Sequence, residues 1–151
     1  MTPIVQNYPI EFLLAAHDSK SMQRAAGRLA THMTPPLLVR LIGNLGAGKT
    51  TLVAALLGQW QGGGANSPTF NLRNDYRLAG FRVIHLDLYR LKPGDDAFDL
   101  LPPDEDYSDA IVFVEWPDRA PSRLFAPFAR QAELRIDVRD DQSRQITWRP
   151  L

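Results

Sequence analysis

The eight residues from Gly43 to Thr50, GNLGAGKT, constrain this chain more than any other stretch. They fit the pattern G-x-x-x-x-G-K-[ST], and their surroundings matter as much as the pattern. The apolar run LLVRLI precedes them and TLVAALL follows. A buried strand that enters a glycine turn and leaves as a helix is the context in which such a turn cradles phosphates. Glycines let the backbone curl until successive N–H groups point inward at phosphate oxygens. The helix that follows adds the positive end of its dipole. Lys49 then reaches the β- and γ-phosphates, and the Thr50 hydroxyl is a hard oxygen ligand for Mg²⁺. The pattern predicts a nucleoside triphosphate with its magnesium.

The rest of the chain reads as alternating helices and strands around that unit. DSKSMQRAAGRLATHM carries Met22, Ala25, Ala26, Leu29, Ala30 and Met33 at helical spacing. Asp18, Ser19 or Ser21 can cap this helix, and the TPP that follows ends it. Leu52, Val53, Leu56, Leu57 and Trp60 share one face of the helix leaving the glycine turn. GQWQGGGANSP predicts a loop or mobile segment. NDYRLAG and FRVIHLDLYRL read as strands turning at Ala79–Gly80, and AIVFVEW reads as a buried strand. KPGDDAFDLLPPDEDYSD has room for one short helix at most. AELRIDVR and RQITWRP bracket DDQS as a closing hairpin. The expectation is one domain over residues 1–151: a three-layer α/β fold of the P-loop NTPase type, with a mostly parallel sheet and a C-terminal antiparallel hairpin. Arg40, inside the first buried strand, has to reach an edge or a partner.

Composition excludes several alternatives. No cysteine is present, so disulfides, thiolate metal sites and a cysteine nucleophile are ruled out. Seventeen basic side chains balance seventeen acidic ones. A chain that grips a phosphate backbone unaided shows a basic excess or stripe, so a role on nucleic acid is expected to run through a partner. No apolar run reaches the ~20 residues of a membrane span, and the first twenty residues lack the basic head of a secretion signal. A cytoplasmic protein without membrane contact is the expectation.

A nucleotide-hydrolysing site needs carboxylates at the ends of neighbouring strands, for Mg²⁺ and for the attacking water. Glu115 closes AIVFVE in that position. Strand alternation puts His85, Asp87 and Tyr89 on one face of VIHLDLYR, with Ile84, Leu86 and Leu88 on the other. Asp87 therefore meets donors or a metal, or else pairs with Arg82 or Arg90, because an acid in such a strand is costly to bury alone. His85 reads as a packed or hydrogen-bonded histidine, and Trp116 as a core or rim residue. In NSPTF, Thr69 either senses the γ-phosphate through Mg²⁺ or belongs to a simple Ser-Pro turn.

In their order and separations, GNLGAGKTTL, SPTF, HLDLYRL and VEWPDRA resemble the TsaE family, formerly called YjeE, from about Met22 through Arg119. The resemblance implies a small bacterial P-loop ATPase required for threonylcarbamoylation of adenosine 37 in tRNAs that read ANN codons. It implies action on the TsaB–TsaD heterodimer, with tRNA reached only through that complex. Carried over by position, Asn44, Leu45, Gly46, Ala47, Gly48, Lys49, Thr50 and Thr51 would bind the phosphates. Thr50, Glu115 and Asp87 would stand around Mg²⁺, and Lys49, Glu115 and Asp87 would act in catalysis. Ser21 or its neighbours at the first helix would edge the adenine, Thr69 would lie in a switch loop, and Arg144 would approach the nucleotide. Two departures bear on the partner surface: the proline-interrupted KPGDDAFDLLPPDEDY stands in place of the longer acidic helix with its own internal glycine common in the family, and Asn71 replaces a hydroxyl residue.

Two rivals remain at this stage. A small P-loop kinase would need an acceptor pocket and an arginine-bearing lid; RLFAPFAR could be mistaken for one, but Phe125, Pro127 and Phe128 lie between its arginines and no acceptor pocket is evident. A nucleotide-dependent switch of unknown partner would produce only a conformation. The guanine-reading [NT]-K-x-D loop is absent, so ATP is expected over GTP. The isolated protein is expected to turn over slowly.

Overall fold

The computed structural model describes residues 10–14, 18–60 and 72–151. Among the described residues, seven strands form one sheet: β1 (Ile10–Leu14), β2 (Leu37–Ile42), β3 (Arg73–Arg77), β4 (Arg82–Asp87), β5 (Ala110–Glu115), β6 (Gln131–Val138) and β7 (Arg144–Pro150). Their spatial order is β1-β7-β6-β2-β5-β4-β3. The four central strands, β6, β2, β5 and β4, run parallel. Antiparallel pairs close both edges, β3 on β4 at one and the β6–β7 hairpin with β1 at the other. The expected parallel centre and closing hairpin are both present.

β2, β4 and β5 are mostly buried on both faces, as strands covered on both sides require, whereas β6 alternates, with Ala132, Leu134 and Ile136 buried and Arg135 and Asp137 exposed on the other face. Every residue of β5, Ala110 to Glu115, is buried. Leu37, Val39 and Leu41 face one core with α1 (Ser19–Ala30) and α2 (Lys49–Gln59), which pack side by side on that face. Leu38, Ile84, Leu86, Val112 and Val114 face the other. That third layer contains no α-helix among the described residues. It is built from three 3₁₀ turns, η1 (Ala97–Asp99), η2 (Pro117–Arg119) and η3 (Ser122–Phe125), with Leu101, Tyr107, Leu124, Phe125 and Phe128 filling it. A proline-rich sequence denies this face longer helices.

Asp18 caps α1 by accepting from the Lys20 and Ser21 backbone N–H groups. The helix stops at Ala30 rather than running to Met33, because Thr31 caps it with its hydroxyl on the Arg28 carbonyl. Met33 is buried all the same. Arg40 finds its partner on the neighbouring strand, donating from Nε and Nη2 to Gln131 Oε1 at 3.2 and 2.9 Å. At the β3 edge, Arg73 and Arg82 share Glu105, and Arg82 also meets Asp109. Arg82 is thereby committed away from Asp87.

Candidate nucleotide-binding site

β2 ends at Ile42 and the chain turns through Gly43–Gly48 into α2 at the C-terminal edge of the parallel strands. Ligands bind at that edge in open α/β sheets. Two glycines of the turn are fixed by different forces. A Cβ on Gly43 would stand 2.8 Å from the Ile136 carbonyl of β6 and 3.2 Å from the Ala47 Cβ. Gly48 has φ of 109°, a left-handed conformation that only glycine adopts cheaply. As the helix cap it has no side chain to occupy the first-turn N–H groups, and no acidic residue lies in that turn. These donors and the dipole are left for an external anion.

Lys49 is 5% exposed, and its ammonium group is folded back onto the loop. Nζ donates to the Gly43 carbonyl at 2.6 Å and lies 4.0 Å from the centre of the Trp116 ring. Burial pulls its pKa down, while Glu115, Asp87 and Asp118 oppose that shift. Trp116 reaches this position because the chain leaves β5 with φ of 57° at that residue, a rare conformation for a bulky side chain. It therefore stacks on the lysine. Tyr89 packs against Trp116 with ring centroids 5.0 Å apart and planes tilted by 45°, and Arg119 lies over Tyr89.

The β4–β5 register brings the two carboxylates together. Parallel pairing of β4 with β5 sets Asp87 directly across from Glu115. Glu115 Oε2 accepts from Thr50 Oγ1 at 3.4 Å and meets His85 Nε2 at 2.6 Å. Asp87 accepts from the Tyr89 backbone N–H, and burial raises its pKa, helped by the charge of Glu115. Two carboxylates and a hydroxyl are hard oxygen donors, and Mg²⁺ takes such ligands in ones and twos together with phosphate oxygens and water. No group of three or more acids and histidines that could hold a metal unaided is found among the described residues. By the chemistry of its oxygen donors, the set Thr50, Asp87 and Glu115 fits a magnesium that also takes phosphate oxygens.

The remaining expected residues fall in different places. Asn44, Leu45, Gly46 and Thr51 are exposed around the turn, and Ala47 is buried beneath it. Arg144 approaches from behind: Nε donates to the Ala47 carbonyl at 2.8 Å and Nη2 to the Gly46 carbonyl at 3.4 Å. It braces the loop rather than reaching into it. The Ser21 hydroxyl donates to Asp18 Oδ2 and accepts from Arg24, which makes it part of the α1 cap. Its neighbour Met22 touches the loop, with Cε 3.5 Å from the Cβ position of Gly48. Thr69 lies outside the described residues. RLFAPFAR is no phosphate lid: Leu124, Phe125 and Phe128 fill the second core. Its Arg130 donates to the Thr34 and His32 carbonyls ahead of β2, at the opposite end of the sheet.

Sequence comparison decides the family. A family model described as threonylcarbamoyl adenosine biosynthesis protein TsaE matches residues 16–146. The chain belongs to the TsaE family. Proteins named tRNA threonylcarbamoyladenosine biosynthesis protein TsaE include one from Rickettsia felis, 31% identical over 134 residues, 87% of this chain and 76% of that protein. A Haemophilus influenzae relative is 33% identical over 120 residues, covering 79% and 74%. A Synechocystis relative is 38% identical over 118 residues, covering 74% and 73%. The crystal structure of Bacillus subtilis YdiB superposes with a TM-score of 0.67 over 95% of this chain and 86% of that one, at 19% identity, which establishes a shared fold.

His85 is packed and hydrogen-bonded as expected, but sequence reasoning did not foresee Glu115 as its partner, nor Trp116 as the partner of Lys49. His85 shares a strand face with Asp87, and that parity was the available signal. Nothing in the sequence announced the backbone turn at Trp116.

Proposed function

We propose that this TsaE-family protein binds and hydrolyses ATP with Mg²⁺ as an accessory of tRNA threonylcarbamoyladenosine formation in the cytoplasm, acting on a TsaB–TsaD heterodimer and meeting tRNA only through it. The observation that carries the reading is the convergence of Lys49, Thr50, Asp87 and Glu115 on one glycine turn at the strand ends. The names of the relatives support the pathway.

On this reading the loop amides from Asn44 onward clasp the phosphates, and Lys49 exchanges the Gly43 carbonyl for the β- and γ-oxygens. Thr50 and Glu115 would hold Mg²⁺, which when bound would supply charge neutralisation at the phosphates. Asp87, opposite Glu115, orients the water that attacks. Arg144 keeps the loop carbonyls turned outward so that the amides stay turned in. No acceptor pocket is required, which separates this reading from a kinase.

Reconstitution of tRNA modification with TsaB, TsaC and TsaD, with and without this protein, tests the proposal. Modification that needs the wild-type chain and fails with Lys49→Ala supports it. Modification at the same rate without the chain, or a phosphorylated metabolite as product, overturns it.

A further inference from the structure

His85 has no role in the mechanism above, yet its placement is costly. The side chain is wholly buried, and Nδ1 has no hydrogen-bond partner among the described residues. Its only polar contact among the described residues is Nε2 to Glu115 Oε2 at 2.6 Å. Its cross-strand neighbours are Phe113 on β5 and Asn74 on β3. A leucine or phenylalanine would fill the same space without stranding a polar atom, so packing alone does not account for an imidazole here. The tautomer of a neutral imidazole that suits a carboxylate partner donates from Nε2 and leaves the lone pair on Nδ1. Both contacts of Glu115, from His85 and from Thr50, fall on Oε2.

We propose that His85 is a positioning residue for the metal site: its Nε2–H pins Glu115 Oε2 and thereby aims Oε1 at the Mg²⁺ or its bound water. The inference rests on the reading of Glu115 as a metal-side carboxylate. Partners that orient a ligating group commonly govern metal affinity by about 10–100-fold.

The test uses the full chain saturated with ADP, with Mn²⁺ as the probe and free Mn²⁺ followed by electron paramagnetic resonance. Glu115→Gln serves as reference. His85→Leu is expected to weaken Mn²⁺ binding about 10–100-fold, with ADP affinity measured in EDTA unchanged. His85→Gln, whose amide N–H can replace the lost donor, is expected to recover most of it. A merely structural histidine would not distinguish glutamine from leucine. Wild-type Mn²⁺ affinity in His85→Leu, alongside a loss in Glu115→Gln, overturns the inference and leaves the reading of Glu115 standing. Equal losses in His85→Leu and His85→Gln also overturn it. An unchanged Glu115→Gln removes the reading of Glu115 itself, and this inference with it. If His85→Leu does not fold, His85→Phe fills the ring volume and is held to the same outcomes.

Discussion

Alanine substitution at three glycines separates space from backbone conformation as the reason the phosphate turn is built as it is. At Gly43 the new methyl would stand 2.8 Å from the Ile136 carbonyl, closer than real Cβ atoms approach, and the obstacle is backbone of β6. Either β6 or the start of the turn has to move. Overpacking of this kind costs about 1–3 kcal/mol. The movement also displaces the carbonyl that Lys49 holds. At Gly46 nothing lies within 4 Å, but φ is 77°, so the cost is purely conformational, about 1–2 kcal/mol. At Gly58, in the last turn of α2, nothing lies within 4 Å and φ is not left-handed. Alanine there should stabilise by about 0.5–1 kcal/mol, because it restricts the unfolded chain and favours helix. Urea denaturation gives the three stabilities, and calorimetry with ADP gives the corresponding affinities. Gly43→Ala should lose both stability and ADP binding, Gly46→Ala should lose stability, and Gly58→Ala should gain stability with ADP binding unchanged. A Gly43→Ala protein as stable as Gly58→Ala, with ADP affinity intact, would refute the steric argument.

Three further outcomes are expected. Arg144→Met removes the guanidinium bonds to the Gly46 and Ala47 carbonyls, and charged hydrogen bonds are each worth about 1.5–3 kcal/mol. ADP affinity by calorimetry should therefore fall at least tenfold, and an unchanged affinity would show that the loop holds its shape unaided. MgADP should alter tryptophan emission as Lys49 leaves the Trp116 ring, and the change should vanish in Trp116→Phe although Trp60 and Trp148 remain. Arg73 and Arg82 hold the Glu105 carboxyl below its ordinary value of 4.5. The unfolded chain then binds more protons, so this stabilisation is present above pH 4.5 and is lost as pH falls through the lower folded value. Glu105→Gln should flatten the acid limb of the stability–pH curve, and an identical acid limb would discount the pair.

What was legible in the sequence was local. The strand, glycine turn and helix around Lys49 follow one another without interruption, so a pattern of eight residues implied their geometry. Alternation along VIHLDLYR fixed the shared face of His85 and Asp87, because a strand's side-chain period does not depend on its neighbours. What could not be read needed contacts across the sheet. His85 and Glu115 are 30 residues apart and meet only through the β4–β5 register. Arg144 reaches Ala47 across 97 residues, from a strand whose order next to β6 and β1 no periodicity reveals. β1 itself is five residues long and gains its structure by pairing with β7 near the other end of the chain. The third layer was expected without its form, since a buried apolar face says that something covers it and not that 3₁₀ turns will.

The central claim is that the turn from Gly43 to Thr50 clasps a magnesium nucleotide through its amides and Lys49. Titration calorimetry with a nonhydrolysable ATP analogue and Mg²⁺ tests it directly. Wild-type protein is predicted to bind one equivalent, and Lys49→Ala, folded by circular dichroism, to bind none. Equal binding by the two proteins, or no binding by either, would contradict the account.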